Sequence, residues 1–110
     1  DSHNLMIIGD NDNDMKIAVS ELQKCGGGFA LVSKGEVLGI LPLPIAGLMS
    51  DDSVENIIKT QKEILQKAYE LGVNEKIDPF ITLSFLGLPV IPEIRITDMG
   101  TFDVKSFAFL

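Results

Sequence analysis

The chain has 110 residues, 45% of them hydrophobic and 23% charged, which is enough apolar material for a packed core and excludes a disordered chain. Nine basic against sixteen acidic residues give a net charge of −7, with Arg95 as the sole arginine, so a phosphate backbone would be repelled and no nucleic-acid partner is expected. No run reaches the roughly 20 apolar residues of a membrane-spanning helix. With one cysteine and no secretory signal, a reducing cytoplasm is the expected setting. The chain starts at Asp1 without an initiator Met and closes on the apolar run Ser106-Phe107-Ala108-Phe109-Leu110. Both ends read as cuts in a longer polypeptide.

Leu5-Met6-Ile7-Ile8 is a continuous apolar run and predicts a strand buried on both faces. After the acidic stretch Asp10–Asp14, the residues Met15, Ala18, Val19 and Leu22 recur at helical spacing and predict a helix over Asp12–Lys24. Asn11 is its cap and Asp14 lies in its first turn. Gly26-Gly27-Gly28 ends that helix, because glycine enters left-handed conformations without a steric penalty. Phe29–Ser33 and Glu36–Leu41 predict two strands joined by a hairpin turn at Lys34-Gly35. Pro42 and Pro44 lack backbone donors, so the ladder ends there.

Ile45–Met49 reads as an apolar connector. A second helix, Ser53–Leu71, is marked by a cap and reciprocal acid at Asp52 and Glu55. Its apolar stripe is Val54, Ile57, Ile58, Ile64, Leu65, Ala68 and Leu71, and Gly72 closes it. Glu55, Lys59, Glu63 and Lys67 form a solvated ladder on the other face, each favourable pair adding roughly 0.2–0.5 kcal/mol. Asp78-Pro79 starts a further helix. Phe80–Leu88 is apolar on nearly every side and is expected to be buried, and Pro89 and Pro92 hold Val90-Ile91 extended. Ile94 and Ile96 alternate with Arg95 and Thr97 as a half-buried strand. Asp98-Met99-Gly100 is a turn, and Phe102 and Val104 resume an extended pattern. Two amphipathic helices, a hairpin and further strand-like runs predict a single α+β domain whose mixed or antiparallel sheet is covered by the two helices.

Three segments imitate chemistry that their context denies. Asp10, Asp12, Asp14 and Glu21 have the spacing of a calcium loop, but Met15 stands where that loop needs glycine and where the helical stripe begins. The triple glycine follows a helix, at the end of the dipole that repels anions, so it is a cap and not a phosphate loop. Cys25 has no histidine partner beyond His3 and is read as a small apolar filler. With one histidine and one cysteine the chain supplies no catalytic metal site of its own. Asp1-Ser2-His3-Asn4 is either a solvated end or a polar cluster held at the start of a strand.

That last segment, placed before a hydrophobic strand, resembles the His-Asp-Ser-His-Asn motif of the adenine deaminase family. The triple glycine, Leu41-Pro42-Leu43-Pro44-Ile45-Ala46-Gly47-Leu48-Met49-Ser50, Asp78–Leu86, Leu88–Glu93, and Thr97-Asp98 with Gly100 are similar to successive blocks of the same family, in order over nearly the whole chain. The first His of the five-residue motif is missing. Ile81 and Gly87 stand where the family more often has Met and Ala, which bears on packing. The resemblance implies the C-terminal domain of an enzyme that hydrolyses adenine to hypoxanthine and ammonia in purine salvage. Its amidohydrolase barrel, with manganese or iron, would lie upstream and act as this domain's partner, and a homo-oligomeric state stays open.

On that reading Ser2, His3 and Asn4 are candidates for an outer-shell or substrate-positioning role. The fragment alone has no catalytic, cofactor-binding or metal residue, and is inactive. The alternative is an independent small-molecule-binding or protein-interaction α+β module. An uncovered apolar patch distinguishes the first from the second.

Overall fold

Asn11 opens the first helix by accepting a hydrogen bond from Asp14 N at 2.9 Å, which satisfies one of the free donors of the first turn. In the computed structural model, which describes residues 4–110, this helix α1 spans Asp12–Cys25. Gly26 ends it in the left-handed conformation, and Gly26 N and Gly27 N both donate to Leu22 O, the first as in an αL cap and the second as in a Schellman cap. The chain then reverses into β1 (Gly28–Ser33) and β2 (Glu36–Pro42), an antiparallel hairpin. Lys34 and Gly35 form its turn, both with positive φ, as the twist of a two-residue hairpin loop requires. Leu31 pairs with Gly39 and Val32 with Val37, so Leu38 is an extra, bulged residue. Its free carbonyl accepts a hydrogen bond from Lys67 Nζ.

The helix α2 (Val54–Glu70) is capped by Ser53, whose side chain accepts from Asn56 N at 3.3 Å. Asp52, expected as the cap, instead accepts from Ser53 N and from the side chain of Asn56. Of the expected stripe on α2, Ile64 and Ala68 are buried, and Ile57 and Leu65 are half-buried. Val54, Ile58 and Leu71 are exposed. The charged ladder makes no ion pair among the described residues, since the pairs found are Lys24–Glu21 and Lys105–Glu93.

Residues 8–77 form one compact unit, in which α1 packs on β1 and α2 on β2. Its buried side chains are Leu22, Leu41, Ile64 and Ala68. The second unit holds residues 78–110 together with the described residues before Ile8. Asp78 caps α3 (Pro79–Ser84) by accepting from Phe80 N and Ile81 N, and a 3₁₀ turn at Phe85–Gly87 follows. The strands β3 (Ile94–Thr97), β4 (Gly100–Asp103) and β5 (Ala108–Phe109) make an antiparallel sheet in that order. The architecture is therefore α+β with only antiparallel pairing, in two small sheets.

Four sequence expectations are corrected here. Leu5–Ile8 is not a strand: Leu5 is 53% and Ile8 80% exposed, and no backbone partner is present among the described residues. A strand needs a neighbouring ladder as well as apolar residues, and these described residues offer none. Phe80–Leu88 is not buried throughout: Ile81, on the six-residue α3, and Phe85, which opens the 3₁₀ turn, are exposed. Val90-Ile91 is not extended: Pro89 and Val90 are the central residues of a turn closed by Ile91 N donating to Leu88 O. In β3 the period of two holds but faces the other way, with Ile94 and Ile96 exposed and Arg95 and Thr97 half-buried.

Candidate functional site

Of the three candidates named from the sequence, Ser2 and His3 lie outside the described residues, and Asn4 is exposed. The imitation calcium loop is put to structural use. Asp14 accepts from Lys34 N at 2.9 Å and Gly35 N at 2.7 Å, tying the start of α1 to the hairpin turn. The hydrogen bonds from the Asn11 side chain and Gly35 N, followed by Lys34 N, hold its carboxyl below the usual value. The Ser106 hydroxyl and Lys105 N lower Asp103 in the same way. Cys25 is half-buried, with Sγ 3.5 Å from Leu22 O and 3.3 Å from Gly27 O, as a filler inside the glycine cap.

The triple glycine forms a seam. Gly26, Gly27 and Gly28 all have positive φ, and Gly27 O accepts from Leu43 N at 2.9 Å. A Cβ on Gly27 would lie 2.6 Å from Gly47 Cα, and one on Gly28 would lie 2.1 Å from Leu41 O. The Leu41–Ser50 block therefore owes its loop shape to direct backbone contact with the glycines. Ile45 and Met49 are bridged, with Ala46 and Gly47 both at positive φ between them.

The second unit carries a hollow that the sequence reading missed. It has a volume of about 300 Å³ and is lined by Val90, Asp98, Met99, Phe102, Phe107 and Phe109, among others. Arg95 pairs with Phe102 and Phe102 with Phe109, so period-two alternation puts these side chains on one face of the sheet. The Phe107 and Phe109 rings stand edge-on to Phe102 at centroid distances of 5.3 and 5.1 Å, the arrangement that ring quadrupoles favour. Phe102 is buried beneath them, whereas Val90, Met99 and Phe107 are 75%, 77% and 77% exposed. The clue in the sequence was the alternation of Phe107 and Phe109, which reads as a chain end until β5 gives it a sheet.

Among the described residues no group of three or more His, Cys, Asp or Glu is placed to hold a metal ion. The hollow is apolar, with Asp98 as its one charged lining residue. The hollow presents an apolar, aromatic lining, and among the described residues the donor set does not fit a manganese or iron centre.

The family model of the adenine deaminase C-terminal domain matches residues 1–108, and the chain belongs to that family. It is 52% identical over 110 residues to an adenine deaminase of Nitratidesulfovibrio vulgaris (strain DP4), covering 99% of this chain and 19% of the relative. It is 50% identical over 108 residues to adenine deaminase 2 of Carboxydothermus hydrogenoformans, covering 98% of this chain and 19% of the relative. The adenine deaminase of Bacillus subtilis (strain 168) is 49% identical over 107 residues, 97% of this chain and 18% of the relative. The chain thus spans about a fifth of the length of the curated relatives it matches.

Proposed function

We propose that this chain is the C-terminal accessory domain of a metal-dependent adenine deaminase that hydrolyses adenine to hypoxanthine and ammonia in purine salvage. The observation that carries the reading is the family match over residues 1–108 at about a fifth of the relatives' length. The chemistry agrees with it. Replacing the exocyclic amine of adenine requires an activated water, a base to take its proton and an acid to release ammonia. Manganese or iron would supply the activated water in the upstream barrel, which becomes this domain's partner. This chain, with one histidine and one cysteine, contributes no metal ligand. A cytoplasmic setting is in keeping with that role, and no described helix is long and apolar enough to cross a membrane.

Ser2, His3 and Asn4 stand where the domain meets the barrel in this reading, and His3 is the positioning residue. Partners of this kind tune activity by about 10–100-fold. The test uses the full-length enzyme and the 110-residue chain side by side, with ammonia release from adenine as the readout. The full-length protein is expected to turn over and the short chain to stay at background, so activity of the short chain overturns the accessory role. Absence of adenine turnover by metal-replete full-length protein overturns the function. His3→Ala in the full-length enzyme is expected to lower kcat/KM with the melting temperature and metal content unchanged, and His3→Gln to restore part of it. Unchanged kinetics assign His3 to structure.

A further inference from the structure

The sheet β3–β4–β5 does not complete its own core. Among the described residues of its unit, Phe102 is the one large apolar side chain that is buried, and the three strands are four, four and two residues long. A sheet of that size is marginal unless another layer covers it. Around Phe102, the exposed Val90, Met99, Phe107 and Phe109 leave an apolar hollow of about 300 Å³ whose only charged lining group is Asp98. Contiguous apolar surfaces of this kind mark interaction sites, whereas single scattered apolar residues would not converge on one cavity. An apolar hollow walled by edge-on aromatic rings is also a suitable seat for an interface anchor.

We infer that this hollow is the socket by which the domain is fixed to the preceding four-fifths of its own polypeptide, and that the plug is a large apolar side chain of that part. The inference rests on the proposed function above and names the surface involved. The relatives decide between this occupant and others. Each carries the matching segment as 18–20% of one longer chain. A covalently joined domain presents itself at an effective concentration on the order of millimolar. A second copy, or an unlinked protein, would have to outcompete that at its free concentration. The near absence of charge in the hollow points to an apolar plug, because a charged group would lose its hydration against the aromatic lining, where Asp98 alone is at hand to pair with a base.

The test is hydroxyl-radical footprinting of the full-length enzyme, read at methionines. Met99, 77% exposed at the rim of the hollow, is compared with Met49, 58% exposed in the other unit. Occupation of the socket predicts that Met99 is oxidised several-fold more slowly than Met49 in the native enzyme, and that the difference disappears in denaturant. It also predicts that this protection persists on dilution to the monomer. Oxidation of Met99 as fast as Met49 overturns the inference, and so does protection that is lost on dilution, which would assign the hollow to a second copy. Adenine turnover is measured on the same sample. Turnover without protection refutes the socket and leaves the proposed function standing, whereas protection without turnover by the metal-replete enzyme refutes the function and leaves the socket.

Discussion

Ile64 and Gly39 are predicted to be energetically coupled, with a sign that packing alone determines. Ile64 is 1% exposed, and a Cβ built on Gly39 would lie 3.2 Å from its Cγ1, 3.4 Å from its Cβ and 3.6 Å from its Cδ1. Ile64→Ala removes three buried carbons, a transfer cost of about 2.4 kcal/mol. The cavity left over a glycine, which has no side chain to move in, raises the total to about 3–4 kcal/mol. Gly39→Ala alone relieves the usual glycine penalty in a strand, roughly 0.5–1 kcal/mol, but crowds Ile64 at a cost of about 1–3 kcal/mol. It should therefore destabilise by about 1 kcal/mol.

In the Ile64→Ala background the crowding atoms are gone and the new methyl enters the cavity. The same Gly39→Ala change should then stabilise by about 1 kcal/mol, giving a coupling of about 2 kcal/mol. Urea denaturation of the four proteins, followed by circular dichroism, measures it. Equal effects of Gly39→Ala in both backgrounds would refute the packing of α2 on β2 described here.

Gly28→Ala should abolish the stable hairpin, because the added Cβ meets Leu41 O at 2.1 Å and φ is +135°; loss of the cooperative urea transition is the readout. Ser53→Ala removes the cap of α2 and should cost about 1 kcal/mol in the same assay. Asp14→Asn weakens the link between α1 and the hairpin turn, and its effect depends on pH. Asp14 binds a proton more weakly folded than unfolded, so its contribution is complete above the unfolded value near 3.8 and is lost as pH falls through the lower folded value. The difference in melting temperature between the two proteins should be full near pH 7 and shrink below pH 3.8; a constant difference would place the effect elsewhere.

Residues 8–77 were legible in the sequence because their signals are local. Asn11 and the glycines bound α1 within one residue of the expected range, and Lys34-Gly35 sets a two-residue turn that brings two adjacent strands together. The cap of α2 was placed one residue early, since Asp52 and Ser53 both bear suitable oxygens and only backbone geometry chooses between them. The faces of Ile94 and Ile96 were misread for a different reason. Alternation shows that a strand has two faces, whereas the packing of Phe102, Phe107 and Phe109 decides which one turns inward. The hollow escaped notice because its lining comes from separate short segments, Val90, Met99 and Phe102 to Phe109. Leu5–Ile8 has the composition of a strand, and composition says nothing about whether a neighbouring ladder exists.

The glycine seam also governs how such a domain can diverge. Gly27 and Gly47 lie twenty residues apart in sequence, yet the Cβ of any residue at position 27 would strike the α-carbon at position 47. At Gly28 the obstacle is the carbonyl of Leu41, so no compensating side-chain change can open a path for drift. Chains that differ from this one at about half their positions are therefore expected to share these small residues even where the helices have been rewritten. Insertions should be tolerated after Met49 or near Gly72 and rejected between Gly26 and Gly47. Sequencing surviving clones from random insertion libraries would trace that forbidden stretch directly.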